Sequence, residues 1–155
     1  VHVIPGDVGH VIANPGTPYD AIVLDVDNGP EGLVSATNDS LYGKKGLTAA
    51  YAALKPGGVL VTQNGVPFMQ PDELRQSVGH FRELFADGSC YLATIPTYAG
   101  GPMAMGWASD DKKLRKVPLK TLRERFAASG IVARYYTPET HLAAFALPGY
   151  VERLL

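Results

Sequence analysis

Apolar and polar positions in this chain follow two rhythms, and the switch between them marks its elements. Ala21 to Val26 (AIVLDV) is a nearly unbroken apolar run, the pattern of a strand buried on both faces of a parallel sheet, and its carboxyl end delivers Asp25 and Asp27. Leu47, Ala50, Tyr51 and Leu54 then recur at helical spacing within Leu41 to Leu54, and Lys55-Pro56-Gly57-Gly58 stops that helix before the strand GVLVTQ at 58–63. Pro71-Asp72-Glu73 opens a further helix with Leu74, Val78, Phe81, Leu84 and Phe85 on one face, and the strand-like CYLATIP ends at Pro96. Two successive strand, helix, strand units result.

The flanks are shorter elements. Val1 to Ile4 reads as a strand ended by Pro5-Gly6-Asp7, with a short helix over Val8 to Ala13. MAMGWAS (103–109), reached through the turn Gly100-Gly101-Pro102, predicts a last strand antiparallel to its predecessor, and Leu119, Leu122 and Phe126 mark a helix closed by Gly130. VARYY reads as a strand, with short terminal helices after it. This alternation predicts an open, mostly parallel α/β sheet flanked by helices, whose ligands sit outside the carboxyl ends of the strands. Asp7, Asp25, Asp27, Gln63 and Tyr98 fall at or just past such ends.

Composition narrows the picture. The 155 residues fit one domain; with 46% hydrophobic and 19% charged residues, disorder along the whole length is excluded. Net charge is -1, and the basic run of Lys112, Lys113, Arg115, Lys116, Lys120, Arg123 and Arg125 reads as a solvated helix face rather than a nucleic-acid surface. Cys90 alone allows neither an intrachain disulfide nor a cysteine-based zinc site and fits a reducing compartment. The N-terminal residues carry no basic leader pattern, and no apolar run approaches the roughly 20 residues that cross a bilayer, so the expected location is the cytoplasm, away from membranes.

Acidic and amide side chains at one sheet edge, without a cysteine or histidine cluster, suit binding of a cation or activation of an amine better than nucleophilic or zinc catalysis. Each candidate also has a plainer role: Asp25 as a loop cap, Asp7 as the N-cap of the helix after it, Gln63 as a cap of backbone groups, and Tyr98 as an amphipathic strand-end tyrosine.

Four segments carry a resemblance to a known family: YDAIVLDVDNGP (19–30), ALKPGGVLVTQ (53–63), TIPTYAGG (94–101) and YYTPETHLAAFALPGYVERLL (135–155). In order and spacing they resemble the spermidine synthases, or polyamine aminopropyltransferases. The second segment and the aspartate after an apolar strand occur across methyltransferase-like folds, whereas TIPTY and the tail are much more diagnostic. The resemblance implies that residues 1–155 form a single partial domain, the C-terminal part of a catalytic domain. Its fold is then a partial Rossmann-like, class I methyltransferase-like sheet.

It further implies transfer of an aminopropyl group from decarboxylated S-adenosylmethionine to putrescine, with no metal and no bound cofactor beyond that co-substrate. Asp25 matches the family's general base; Asp27, Gln63 and Tyr98 match positions around the diamine. Asp7 matches the carboxylate at the adenine amino group, Val8 adds its backbone N–H, and Pro30 lines the donor site. His141 in the tail is expected to be structural. DVDNGP is two residues shorter than the family's usual loop, which bears on Asp27 and on the choice of acceptor. The N-terminal β-domain and the glycine-rich first half of the sheet are not in this sequence, so the AIVLDV strand is expected to present an open edge, to self-associate and to catalyse weakly by itself. A methyltransferase of the same fold and a non-catalytic interaction module are the competing readings.

Overall fold

A computed structural model describes residues 2–3, 5–26 and 41–155. In chain order the elements are α1 (Val8–Ala13), β1 (Tyr19–Leu24), α2 (Lys44–Ala53), β2 (Leu54–Gln63), α3 (Pro71–Leu84), β3 (Asp87–Ala93), β4 (Met103–Ser109), a 3₁₀ turn (Leu114–Lys116), α4 (Leu119–Ser129), α5 (Pro138–Ala144) and α6 (Gly149–Glu152). The sheet order is β1-β2-β4-β3. β1 and β2 pair in parallel, while β4 runs antiparallel to both β2 and β3. Three of the four strands therefore point the same way, and their carboxyl ends share one edge.

The helices follow from local sequence. Asp7 caps α1 by accepting the His10 N–H at 2.8 Å, and α3 has Pro71 in its first turn with Asp72 and Glu73 at the positive end of its dipole. Gly130 closes α4 at φ 65°, a conformation that a side chain resists. Thr137 and Thr140 form a reciprocal capping box on α5.

One face of the sheet carries the main core. Leu47 and Ala50 of α2, with Leu74, Val78 and Phe81 of α3, pack in one cluster with Ile22, Leu24, Leu60, Cys90, Ala104 and Ala108. Burial pushes the Cys90 thiol up to about 11, so it is a packed, protonated group. On the other face Phe145, just past α5, packs against Tyr91 and Trp107 at ring separations of 5.5 and 5.7 Å.

Three expectations change. Lys55-Pro56-Gly57-Gly58 does not precede β2 but is looped out within it: Tyr19 pairs with Leu54 and Ala21 with Val59, so Asp20 alone faces Lys55–Gly58. Gly57 takes φ 74° in that bulge, and Lys55 Nζ reaches both Asp20 carboxylate oxygens at 2.8 Å. VARYY forms no strand: Val132 is 96% exposed, and the segment is tied by side-chain hydroxyls rather than a ladder, with the Tyr135 hydroxyl accepting the Thr94 N–H at 2.9 Å and the Tyr136 hydroxyl 3.5 Å from His141 Nδ1. His2 and Val3 join no strand, and Val1 and Ile4 lie outside the described residues.

β1 is an edge strand of the described sheet. Its Val23 is 62% exposed, on the face opposite buried Ile22 and Leu24.

At the centre β4 passes very close to α3. A Cβ on Gly106 would meet Asn64 Oδ1 at 2.5 Å and the Phe81 ring at 2.7 Å. Gly106→Ala is accordingly expected to cost about 1–3 kcal/mol by overpacking. A urea titration reads this as a lowered midpoint with an unchanged slope; an unchanged midpoint contradicts the packing.

Candidate active site

The carboxyl edge gathers most of the residues singled out from the sequence. Asp25 is the first residue beyond β1, whose last ladder pair is Leu24 with Thr62. Side chains alternate along a strand, so Asp25 falls on the side of Val23 rather than of buried Leu24, and it is exposed. The backbone on both sides of it is held by one hydroxyl. Tyr42 accepts the Val26 N–H at 3.1 Å and donates to the Leu24 carbonyl at 3.2 Å, with the Val26 carbonyl at 3.5 Å. Burial raises the Tyr42 pKa above the ordinary phenol value against the lowering effect of the Val26 bond, with smaller contributions from the charges of Asp25 and Glu73.

Gln63 ends β2 opposite Met105 of β4 and is half-buried. Among the described residues its side chain makes no hydrogen bond, so capping of neighbouring backbone does not occupy it there. Asn64 beneath it is 2% exposed, with both ends of its carboxamide hydrogen-bonded. Its Oδ1 accepts from Thr62 Oγ1 at 2.7 Å and from the Gly106 N–H at 3.0 Å, its Nδ2 donates to Ser77 Oγ at 2.7 Å, and its backbone N–H reaches the Ala104 carbonyl at 2.9 Å. Strands β2 and β4 and helix α3 are thereby locked together at this edge.

Tyr98 lies in the loop after β3, 49% exposed, with its N–H donated to the Ile95 carbonyl at 3.1 Å. Gly100 of that loop sits against Met69 and Val66, which places the loop beside the one that follows Gln63. Asp7 spends one carboxylate oxygen on its cap. The start of α1 approaches Leu41, next to Tyr42, so Asp7 belongs to the β1 end of the same edge. Val8 is partly buried against the core. Asp27 and Pro30 lie outside the described residues.

Of the basic run, Arg115 binds Asp87, with Nε to Oδ2 at 2.7 Å, Arg123 Nε reaches Glu139 at 2.7 Å, and Lys120 lies 4.0 Å from Glu124. Those three carboxylates cut the net positive field of that face. His141 packs against Tyr136 and Phe145, and burial lowers its pKa below the usual imidazole value, which suits a structural role in the tail. Among the described residues no three His, Cys, Asp or Glu side chains converge on one point, and no helix is long and apolar enough to cross a membrane.

A family model described as the spermine/spermidine synthase domain matches residues 1–119. The chain belongs to that family. Among curated relatives, a polyamine aminopropyltransferase from Ruegeria sp. (strain TM1040) is 55% identical over 138 residues, covering 88% of this chain and 46% of the relative. One from Pseudomonas syringae pv. tomato is 43% identical over 153 residues, 97% of this chain and 51% of the relative. The chain thus spans about half the length of the curated relatives it matches. Its fold is that of a solved spermidine synthase in complex with the transition-state analogue AdoDATO, at TM-score 0.81 and 21% identity over 99% of this chain and 50% of that one. The spermidine synthase from Thermotoga maritima agrees at TM-score 0.76 and 23% identity over 95% and 47%.

Within this spermine/spermidine synthase segment, Tyr42 and the Thr62–Asn64–Ser77 network carry no signal in the sequence. Tyr42 sits just ahead of the Gly43 N-cap, where a tyrosine gives no periodic signal, and the network is assembled from three elements. Glu73, in sequence a first-turn acid, also joins a hydrogen-bond chain. Glu73 Oε1 accepts from Gln70 Nε2 at 3.0 Å, and Gln70 Oε1 in turn takes the Val66 N–H at 3.2 Å. Burial raises the Glu73 pKa, opposed by the Gln70 bond.

A folded-state pKa above the unfolded one means that the folded chain holds the Glu73 proton more tightly. That contribution to stability is present in acid and is lost as pH rises through the raised Glu73 pKa. Glu73→Gln is therefore expected to raise the melting temperature near pH 7 and leave it unchanged near pH 4, about where free glutamate titrates. An equal shift at both pH values contradicts the burial.

Proposed function

We propose that the polypeptide carrying this segment is a spermidine synthase, moving an aminopropyl group from decarboxylated S-adenosylmethionine to putrescine and releasing spermidine and methylthioadenosine. Residues 1–155 are the C-terminal part of its catalytic domain. The observation that carries the reading is Asp25: an exposed carboxylate at the carboxyl end of β1, in a family segment whose relatives bear the name polyamine aminopropyltransferase.

The chemistry asks little else of the protein. An alkylammonium has no lone pair for attack, so a carboxylate beside it must take a proton first. Asp25 takes that proton, the freed nitrogen attacks the propyl carbon bound to sulfur, and the C–S bond breaks with its electron pair on sulfur. The sulfonium leaves as a neutral thioether, so no general acid is needed. Asp27, Gln63 and Tyr98 receive the second ammonium of the diamine. Gln63 and Tyr98 are supported by their place on the same edge, and Asp27 by sequence.

At the donor end, Asp7 has one carboxylate oxygen beyond its cap for the adenine amino group. Val8, the first residue of α1, offers an N–H without an intrahelical carbonyl. Pro30 lines the donor site by its position in the motif. The work is placed in the cytoplasm, in keeping with the one cysteine being a buried thiol.

The 155-residue chain alone pairs with a second copy and turns over weakly. The edge position of β1 among the described strands and the exposed Val23 support this, since an apolar edge strand is a template for pairing.

Asp25→Asn in a complete polypeptide is expected to slow methylthioadenosine release by about 10²–10⁴. Full turnover without that carboxylate overturns the assignment, and methyl transfer with no activity on any diamine overturns the reaction class. Light scattering on the 155-residue chain is expected to give a mass above 16.5 kDa, reduced by Val23→Lys. A monomer at all concentrations contradicts the pairing.

A further inference from the structure

Past the last ladder pair of β1, Leu24 with Thr62, the backbone groups around Asp25 need partners from elsewhere. In a parallel ladder one residue of the neighbouring strand would serve both sides of Asp25, donating its N–H to the carbonyl of the residue before and accepting the N–H of the residue after. Tyr42 performs both halves with a single oxygen: it donates to the Leu24 carbonyl at 3.2 Å and accepts the Val26 N–H at 3.1 Å. The hydroxyl substitutes for a ladder partner one residue past the last registered pair of β1 and β2.

We infer that Tyr42 is a positioning residue for Asp25, holding residues 24–26 extended so that the Asp25 carboxylate is presented at a fixed height and on a fixed side of the sheet edge. The inference rests on the reading of Asp25 as the base. Without the hydroxyl, the Leu24 carbonyl and Val26 N–H turn to water, and the peptide planes that orient Asp25 rotate freely. A carboxylate that must meet one ammonium proton loses rate when its approach is no longer fixed, even by about an ångström.

The bridge needs a hydroxyl that both donates and accepts, hence a neutral phenol. Burial raises the Tyr42 pKa, and the negative charges of Asp25 and Glu73 add to that, so the proton stays in place. The ring is part of the core contact, packed against the buried cluster. Tyr42→Phe keeps that ring and removes only the bridge.

The test is a double-substitution cycle in a complete polypeptide carrying this segment, with methylthioadenosine affinity by calorimetry as the check on folding. Tyr42→Phe is expected to lower kcat about 10- to 100-fold, with methylthioadenosine affinity unchanged. In an Asp25→Asn background the same substitution is expected to add almost nothing, because the group it positions is already gone. An equal loss in both backgrounds, or no loss in the first, overturns the positioning role while leaving Asp25 as the base. If Asp25→Asn itself keeps full turnover, the base assignment falls and this inference with it.

Amide exchange in the 155-residue chain gives a second readout independent of activity. Val26 N–H is expected to be protected, and Tyr42→Phe to remove that protection while Val61 N–H keeps its own. Fast exchange at Val26 in the unsubstituted chain overturns the bridge directly.

Discussion

A single buried carboxamide fixes the edge on which every proposed contact stands. Asn64 has three side-chain bonds and one backbone bond inside the protein, to Thr62, Gly106, Ser77 and Ala104. A buried amide left without such partners costs about 1–3 kcal/mol per group, so β2, β4 and α3 can meet at this edge only in the arrangement that satisfies it. Gly106 belongs to the same constraint, since any side chain there displaces the Thr62 hydroxyl, the Asn64 oxygen or the Phe81 ring. The carboxyl end of β2 is thereby immobilised, and with it the strand against which β1 aligns its last residue.

From that anchored strand the candidate site extends in two directions. Toward β1, the Leu24–Thr62 pair ends the ladder and Tyr42 continues it by one residue, which sets Asp25 at the rim. Toward β3, the loop carrying Tyr98 rests on the loop after Gln63 through the contact of Gly100 with Met69.

Much of this was legible in the sequence because the periodic signals were strong. AIVLDV, the α3 face from Leu74 to Phe85 and Gly130 each describe a local physical demand, and each produces the expected element, although β1 runs over Tyr19–Leu24 and so ends two residues before the apolar run does. The misplaced elements are ones whose fate depends on a neighbour. Lys55–Gly58 carries the turn signature of a helix stop, yet a pairing with Tyr19 on one side and Ala21 on the other makes it a bulge inside β2. VARYY has strand propensity, but its one backbone contact with the sheet among the described residues is the Tyr135 hydroxyl on the Thr94 N–H, and propensity without a ladder does not make a strand. In the site, Asp25 and Gln63 were visible as polar residues at strand ends and Asp7 as the cap of the helix that follows it. Tyr42 and Asn64 were not, because what distinguishes them is the set of distant backbone groups they satisfy.

The most direct test of the central claim is a crystal structure of a complete polypeptide containing this segment, with methylthioadenosine and a diamine bound. The account predicts the nearer amine nitrogen within about 2.6–3.2 Å of an Asp25 carboxylate oxygen, the reach a general base requires. A diamine held by other carboxylates, with Asp25 turned to solvent, contradicts it.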